Sequence, residues 1–209
     1  MLAEVSFPVR YAETDLQRVV YYANYLAWFE LGYEALFSAL GRPLGEVRPA
    51  VLEATCRYEA PIHYGETVTV QSAPVPDEEG LRIVHRVTVG EELRACGTTL
   101  LERTGVEPGP AADLAGEHLD GWRQLQPRGR MEEIPLQVRY AETEPSRGAH
   151  FSRYFAWFEV GRIAFLHRIG LHYTDLESSG SPFVIAWAGC RYLAPVTFDD
   201  RLQIAVWVE

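Results

Sequence analysis

The most constraining feature of this chain is an internal repeat. Residues 9–37 read VRYAETDLQRVVYYANYLAWFELGYEALF and residues 138–166 read VRYAETEPSRGAHFSRYFAWFEVGRIAFL, so roughly half of the aligned positions are identical. A second match pairs CRYEAP at residues 56–61 with CRYLAP at residues 190–195. The copies start 129 positions apart (138 minus 9), far more than the roughly 20–45 residues of a solenoid repeat. The chain is therefore predicted to contain two duplicated domains in tandem.

The segment between the two copies has the composition of a linker. Residues 106–133 are rich in proline, glycine and charge, and a short helix is predicted around Leu114–Leu125. The predicted domains are therefore residues 1–105 and residues 134–209.

Each copy is predicted to be an α+β domain. In the first copy, alternating apolar residues predict a strand over Ser6–Glu13. A helix is predicted over Tyr25–Leu40, with Asn24 as its N-cap and Gly41 as its stop signal. Apolar residues cover most of the helix circumference, so an antiparallel sheet should wrap around it. Further strands are predicted over Ala50–Tyr58, Glu66–Ala73, Leu81–Val89 and Glu92–Glu102.

The second copy is predicted to be incomplete. Only 19 residues follow Cys190 (209 minus 190), whereas the first copy continues for about fifty residues past Cys56. Counterparts of the strands over residues 81–89 and 92–102 are therefore missing, which would expose strand edges. Three explanations stay open: a shortened sequence, completion by another chain, or a reduced lobe that leans on the first copy.

Composition excludes several classes of partner. The net charge of −10, without a cluster of Lys or Arg, argues against a nucleic-acid partner. No signal peptide and no bilayer-spanning apolar run are found, so a cytoplasmic protein without a membrane partner is expected. Three cysteines far apart in sequence fit a reducing compartment better than a disulfide framework. Cys56 and Cys190 are expected to be small buried hydrophobes rather than metal ligands.

Two Arg-Tyr pairs recur in both copies. Residues 10–11 match residues 139–140, and residues 57–58 match residues 191–192. A residue that contacts substrate is not needed in a copy that is inactive, and one of the two copies can be inactive. Because the pairs occur in both copies, they are predicted to have structural roles rather than to contact a substrate.

The segment ETDLQRVVYYANYLAWFE, residues 13–30, carries a family signature. It resembles the hydroxybenzoyl-CoA thioesterase branch of the hotdog superfamily, tightly over about 25 residues of the first copy and more loosely over both copies. The resemblance implies two tandem hotdog domains, each an antiparallel sheet wrapped around a long central helix. It also implies hydrolysis of an acyl-CoA, with no metal and no cofactor beyond the coenzyme A of the substrate.

The same resemblance assigns catalytic roles. In that family an Asp acts as nucleophile or general base, and a backbone N–H at the start of the central helix polarises the thioester carbonyl; here these are Asp15 and the amide of Tyr22. A helix N-terminus presents N–H groups and partial positive charge, which suit an oxygen that gains negative charge. The alternative is that Asp15 merely caps a turn or a helix. Tyr21 and Asn24, which flank Tyr22, are predicted to bind substrate.

Arg18 departs from the family pattern, which usually has a small residue, often Gly, at this position. It is predicted to be near the substrate, and three roles stay open for it. The side chain narrows the acyl entrance, reaches a phosphate of coenzyme A, or is simply solvated.

The second copy departs further from the signature. Glu144 replaces Asp15, and its extra methylene moves the carboxylate by on the order of 1 Å, so it is either catalytic with a different geometry or a relic. His150 and Phe151 replace the tyrosine pair and are predicted to bind substrate; His150 acts as a base or makes an ordinary polar contact. Arg153 contacts an anion at the helix terminus or projects into solvent.

The predicted function is hydrolysis of acyl-CoA thioesters. One alternative is hydrolysis of acyl-ACP, because two fused hotdogs also resemble acyl-ACP thioesterases. Another is a non-catalytic protein that binds acyl thioesters or assembles with other chains. Hydration of enoyl thioesters is disfavoured, since the helix of the first copy lacks the His that this chemistry uses. In single-copy relatives two hotdogs pair through their sheets, so an intramolecular pseudo-dimer that self-associates is predicted.

Overall fold

The structure, a computed structural model, describes residues 2–45, 48–106, 131–146, 148–178, 180 and 183–208. Its elements in chain order are β1 (Ala3–Pro8), α1 (Asn24–Ala39), β2 (Val51–Tyr58), β3 (Thr67–Pro76), β4 (Leu81–Val89), β5 (Glu92–Leu101), β6 (Glu132–Gln137), α2 (Arg153–Arg168), α3 (Tyr173–Ser178), β7 (Trp187–Arg191) and β8 (Arg201–Val206). They form two compact units: β1–β5 with α1 and β7, and β6 with α2, α3 and β8. The helix predicted at Leu114–Leu125 and most of the predicted linker lie outside the described residues.

An antiparallel sheet of six strands forms the first unit. The strand order is β1-β3-β4-β5-β2-β7, so the consecutive strands β3, β4 and β5 are neighbours. The turn between β4 and β5 contains Gly90 at φ +59°, a backbone region that favours glycine. The strands predicted over residues 50–58, 66–73, 81–89 and 92–102 are confirmed to within three residues.

Helix α1 packs one side against this sheet. Its buried residues are Tyr25, Leu26, Trp28, Phe29, Gly32, Tyr33, Leu36 and Phe37. The predicted stop is confirmed, because Gly41 has φ +70° and the next N–H, of Arg42, reaches the Phe37 carbonyl at 2.9 Å. The prediction of a sheet wrapped around a long central helix is confirmed, and on the side of α1 away from these buried residues Leu31 is 39% exposed.

The start of the first copy corrects the strand prediction. Strand β1 ends at residue 8 and residues 11–13 form a 3-10 turn, so the strand predicted over Ser6–Glu13 is wrong in its second half. The chain turns there because the Glu13 carboxylate accepts the backbone N–H of Arg10 at 2.7 Å. A local side-chain bond of this kind competes with extended structure.

The predicted N-cap of α1 is also corrected. The helix begins at Asn24 itself, so its N-cap is Ala23, which makes no side-chain cap hydrogen bond. The Asn24 amide instead donates to the backbone carbonyl of Glu13 at 2.9 Å. This residue therefore ties the helix to the preceding loop.

Strand β7 belongs to the second copy in sequence and pairs with β2, its counterpart in the first copy. In the antiparallel register Thr55 faces Gly189, and these two residues are equivalent positions of the repeat. Ala54 faces Cys190, the counterpart of Cys56, and Cys56 faces Ala188, the counterpart of Ala54. Such a reciprocal register is the one that a two-fold axis between identical strands produces.

The second unit is smaller. Strands β6 and β8 form a two-stranded antiparallel sheet against α2, with Ile134 opposite Ile204. Buried residues of α2 are Phe155, Trp157, Gly161, Phe165 and Leu166. Among the described residues no strand corresponds to β4 or β5, in agreement with the prediction that the second copy lacks its last strands.

The remaining general predictions concern cysteines and membrane spans. Cys56 and Cys190 are buried, which confirms the prediction that they are small core residues; Cys96 is buried as well, and none of the three is disulfide-bonded. In the part of the chain that the structure describes, no helix combines the length and the hydropathy that a bilayer crossing requires.

Candidate active site

Asp15 lies at the start of a tight turn between the 3-10 turn and α1. Its backbone N–H donates to the Val19 carbonyl at 2.9 Å, and the Arg18 N–H donates back to the Asp15 carbonyl at 2.9 Å. The carboxylate oxygen Oδ1 accepts the backbone N–H of Gln17 at 2.8 Å, which orients the half-buried side chain. Arg18 has φ +62°, in the left-handed backbone region that glycine adopts more readily than other residues. The turn thus holds the Asp15 carboxylate in one orientation.

The Asp15 turn is fastened to the start of α1 through Glu13. The Glu13 carbonyl accepts the N–H of Tyr21 and the side-chain amide of Asn24, both at 2.9 Å. Thr14 and Val20 form a further antiparallel bridge across the base of the turn. The structure therefore brings the Asp15 turn next to the predicted residues Tyr21, Tyr22 and Asn24.

Tyr22 is held from the sheet side. Its carbonyl accepts the hydroxyl of Tyr58, on β2, at 2.9 Å. The rings of Tyr21, Tyr22, Tyr25 and Tyr58 form an aromatic cluster, with centroids of neighbouring rings 4.9 to 6.2 Å apart. Burial raises the pKa of the Tyr58 phenol well above its usual value, so its hydroxyl stays a donor at neutral pH. The peptide group that follows Tyr22 is therefore fixed in direction by a side chain of β2.

A buried carboxylate that the sequence reasoning missed supports this loop. Glu13 is 6% exposed and accepts from Arg10 Nη2 at 2.9 Å and from Trp28 Nε1 at 3.0 Å, besides the Arg10 backbone N–H. Burial opposes its ionisation, but the hydrogen bonds from Arg10 and Trp28 outweigh burial and lower the pKa of Glu13. The signal was present, since Glu13 and Trp28 both recur in the second copy.

The second copy repeats this buried network. Glu142 accepts from the Arg139 backbone N–H at 2.8 Å, from Arg139 Nη2 at 2.7 Å and from Trp157 Nε1 at 3.1 Å. Arg10 and Arg139 thus have the structural role that was predicted for the repeated Arg-Tyr pairs. The adjacent tyrosines, at positions 11 and 140, are each 78% exposed.

The described residues of the equivalent loop in the second copy repeat the backbone hydrogen bond that closes the turn but make different side-chain contacts. The Glu144 N–H donates to the Gly148 carbonyl at 3.0 Å, and the Ser146 hydroxyl donates to Glu144 Oε1 at 2.6 Å. His150 Nδ1 lies 2.8 Å from the hydroxyl of the buried Ser152. Phe151 is buried, with its ring centroid 4.6 Å from that of His150.

Arg18 and Arg153, two arginines for which the sequence left several roles open, lie at the surface. Arg18 is exposed, and its carbonyl oxygen lies 3.2 Å from Nδ1 of His63. Arg153, the counterpart of Asn24, is also exposed, as expected if it projects into solvent. Among the described residues no three His, Cys, Asp or Glu side chains converge in a way that could hold a metal ion.

Comparison with known proteins relates the chain to one family. The family model of the thioesterase superfamily matches residues 17–75 and 148–209, more than half of the chain and a part of each copy. A curated relative from Bacillus subtilis (strain 168), named "Putative acyl-CoA thioesterase YneP", is 41% identical over 83 residues. That alignment covers 37% of this chain and 59% of the relative, less than two thirds of its length.

Solved structures extend the likeness of the fold to nearly the whole chain. The 12:0-ACP thioesterase from Umbellularia californica is 15% identical, with a TM-score of 0.69. An acyl-ACP thioesterase from Bacteroides thetaiotaomicron VPI-5482 is 11% identical, with a TM-score of 0.66. Each alignment covers 97% of this chain and 85% of the other. At these identities the likeness concerns the fold alone, and with the two matched segments it confirms the prediction of tandem hotdog domains.

Proposed function

This chain belongs to the thioesterase superfamily, and we propose that it hydrolyses acyl-CoA thioesters with Asp15 as the reacting carboxylate. The observation that carries the proposal is the fastening of the Asp15 turn to the start of α1 by the Glu13 carbonyl, which accepts from Tyr21 and Asn24. The turn that carries this carboxylate is thereby joined to the N-terminal end of a helix. The carboxylate and the helix end are the two groups that attack on a thioester requires.

The role of the helix end is electrostatic. Attack on the carbonyl carbon places negative charge on the carbonyl oxygen, and we assign the Tyr22 amide to face that oxygen. N–H groups and partial positive charge at a helix N-terminus stabilise such an oxyanion. The fixed Tyr22 carbonyl, held by Tyr58, keeps this part of the backbone from rotating during the reaction.

Two routes are open to the Asp15 carboxylate. As a nucleophile it attacks the acyl carbon, the C–S bond breaks, coenzyme A leaves as a thiolate, and water then hydrolyses the Asp15 anhydride. As a general base it takes a proton from a water molecule whose oxygen attacks the acyl carbon, and the proton is then delivered to the leaving thiolate. Both routes give a carboxylic acid and coenzyme A. Water that attacks the Asp15 carbonyl carbon of the anhydride leaves its oxygen on Asp15, so ¹⁸O in the Asp15 side chain after a single turnover in ¹⁸O-labelled water would identify the nucleophilic route.

The assay that tests the function is thiol release from a panel of acyl-CoA esters. Asp15→Asn keeps the size of the side chain and removes its charge, so kcat should fall on the order of 100-fold or more. Asp175→Asn makes the same chemical change at an exposed position of α3 and should leave kcat within experimental error. Wild-type rates in Asp15→Asn would contradict the assignment, and a wild-type protein without activity on any ester would contradict the function.

Two further arms resolve the alternatives. Glu144→Gln measures whether the second copy contributes, because a fall in kcat would show that its carboxylate reacts as well. The same acyl groups on ACP, together with a direct binding measurement for coenzyme A, decide the carrier. Binding of acyl thioesters without turnover would favour the non-catalytic alternative.

The pairing of β2 with β7 supports the proposed intramolecular pseudo-dimer. The reciprocal register around Thr55 and Gly189 is what two equivalent hotdog strands would adopt across a two-fold axis. We further propose that the chain self-associates, which light scattering coupled to size-exclusion chromatography would test. A strictly monomeric mass over the range of assay concentrations would contradict self-association.

A further inference from the structure

We propose that Asn24 is a positioning residue, which sets the distance between the Asp15 turn and the start of α1 through the Glu13 carbonyl and does not contact the substrate. This inference rests on the proposed function. It revises the sequence-based expectation that Asn24 binds substrate. The group formed by Asn24, Glu13 and Tyr21 is called the Glu13 clamp below.

The first support is the place of the two donors in the chain. Tyr21 and Asn24 stand on either side of Tyr22, and both donate to one carbonyl oxygen at 2.9 Å. Glu13 is two residues before Asp15. The Glu13 carbonyl therefore links the residues on both sides of Tyr22, the proposed oxyanion donor, to the backbone just before Asp15, the proposed attacking group.

The second support is the rigidity of the acceptor. The Glu13 side chain is anchored by Arg10 and by Trp28, one helical turn beyond Asn24 on α1. Because this carboxylate is buried and makes three hydrogen bonds, the Glu13 backbone cannot shift without breaking them. A donor that binds this carbonyl is thus fixed to a stiff part of the fold.

The third support is the difference between the two copies. The second copy keeps the anchored carboxylate, Glu142, and one donor to its carbonyl, the His150 N–H at 3.0 Å. It has the exposed Arg153 in place of the second donor. The first copy, with Asp at the proposed reacting position, has two donors to this carbonyl, whereas the second copy, with Glu at that position, has one. The second donor is therefore associated with the proposed reacting Asp, and the fold forms without it.

The consequence for the reaction is geometric. Loss of the Asn24 donor leaves the Tyr21 N–H alone on the Glu13 carbonyl, so the turn and the helix start can separate. A displacement on the order of 1 Å between reacting groups costs about 100-fold in rate, whereas substrate binding elsewhere is unaffected. A positioning role therefore lowers kcat and spares KM.

The test compares Asn24→Ala with Arg153→Ala, the equivalent position of the second copy. Alanine removes the donor without adding charge and is well accepted at the start of a helix. We expect kcat of Asn24→Ala to fall about 10- to 100-fold with KM within about three-fold of wild type, and Arg153→Ala to match wild type in both. A rise in KM at unchanged kcat would make Asn24 a substrate contact, and unchanged kinetics would make the clamp irrelevant; either result overturns the proposal.

Two additions keep the outcome readable. If Asn24→Ala does not fold, Asn24→Ser, which supplies a shorter donor, is measured in its place against the same expectations. Amide hydrogen exchange at Tyr21 reports the clamp independently of activity and should be faster in either variant; unchanged exchange would overturn the proposal even in a protein without hydrolytic activity. Loss of activity in Asp15→Asn, measured alongside, shows separately whether the proposed function stands.

Discussion

Phe29 and Phe158 occupy the same position in the two copies of the repeat, yet their surroundings differ. Phe29 is fully buried and stacks on the His85 ring of β4, with ring centroids 4.5 Å apart. Phe158 is 41% exposed, and its ring makes an edge contact with Phe155 of its own helix at 5.8 Å. Where the structure describes the second copy, it has no counterpart of β4 or β5. The comparison shows that the helix sequence specifies an apolar face, whereas the strands that follow decide whether that face is buried.

The glycines one turn further along the helices show what the copies share. Gly32 and Gly161 are equivalent, and each faces the strand that packs against its helix. An added Cβ would meet Ser72 on β3 in the first copy, and Ile204 and Val206 on β8, each at 2.8 Å, in the second. Close approach of helix and sheet is therefore common to both copies.

The largest expected difference concerns the two phenylalanines. Phe29→Ala would leave a cavity under β4 and β5 and should lower the free energy of unfolding by about 3–5 kcal/mol. Phe158→Ala removes a side chain that is already exposed and should cost less than about 1 kcal/mol. Urea denaturation of the two variants measures both values. Equal losses would show that Phe158 is covered in solution.

The next expected effect is a pH dependence of stability that arises in the first copy, because His85 has no counterpart among the described residues of the second. Its ring is fully buried between Ser72 and Thr99, and burial lowers the pKa of His85 to about 3. The unfolded chain binds a proton at this residue near pH 6.5 while the folded chain does not. The contribution of His85 to the free energy of unfolding is therefore largest above pH 6.5. As the pH falls from 6.5 to about 3, the free energy of unfolding should decrease by about 1.4 kcal/mol per pH unit.

Urea midpoints between pH 7.5 and 4.5 measure this slope, and His85→Gln is the variant to compare. Glutamine lowers stability at every pH but cannot be protonated, so the part of the slope between pH 6.5 and 4.5 that His85 contributes should disappear. A slope that is identical in wild type and His85→Gln would contradict the role of this histidine.

The smallest expected difference concerns the glycine pair. Gly32→Ala forces a methyl group against Ser72, whose hydroxyl is bonded to His85, and should cost about 1–3 kcal/mol. Gly161→Ala meets half-buried side chains of a two-stranded sheet that can move aside, and the gain in helix propensity of about 1 kcal/mol offsets much of the strain. Thermal unfolding midpoints rank the two variants, and a larger loss for Gly161→Ala would reverse the comparison.

Much of this architecture could be predicted from local patterns. The strands of the first copy and the Gly41 stop of α1 were recognised because alternation, apolar runs and glycine act over a few residues. The Asp15 turn was located because it lies within a contiguous signature. Two local predictions failed at Glu13: the extension of the first strand and the Asn24 cap. A glutamate at a strand end has the sequence pattern of an exposed residue, and its burial depends on Trp28, fifteen positions later.

The sequence alone determined that the protein has two copies of one hotdog module and that the first carries an Asp before a long helix. Only the tertiary structure decided that β7 pairs reciprocally with β2, that Glu13 is buried, and that Asn24 faces a carbonyl. The reason is the range of the forces involved. Repeats and periodicity can be recognised by reading short stretches of sequence. Strand register and the burial of a charge depend on groups that come together only when distant parts of the chain fold.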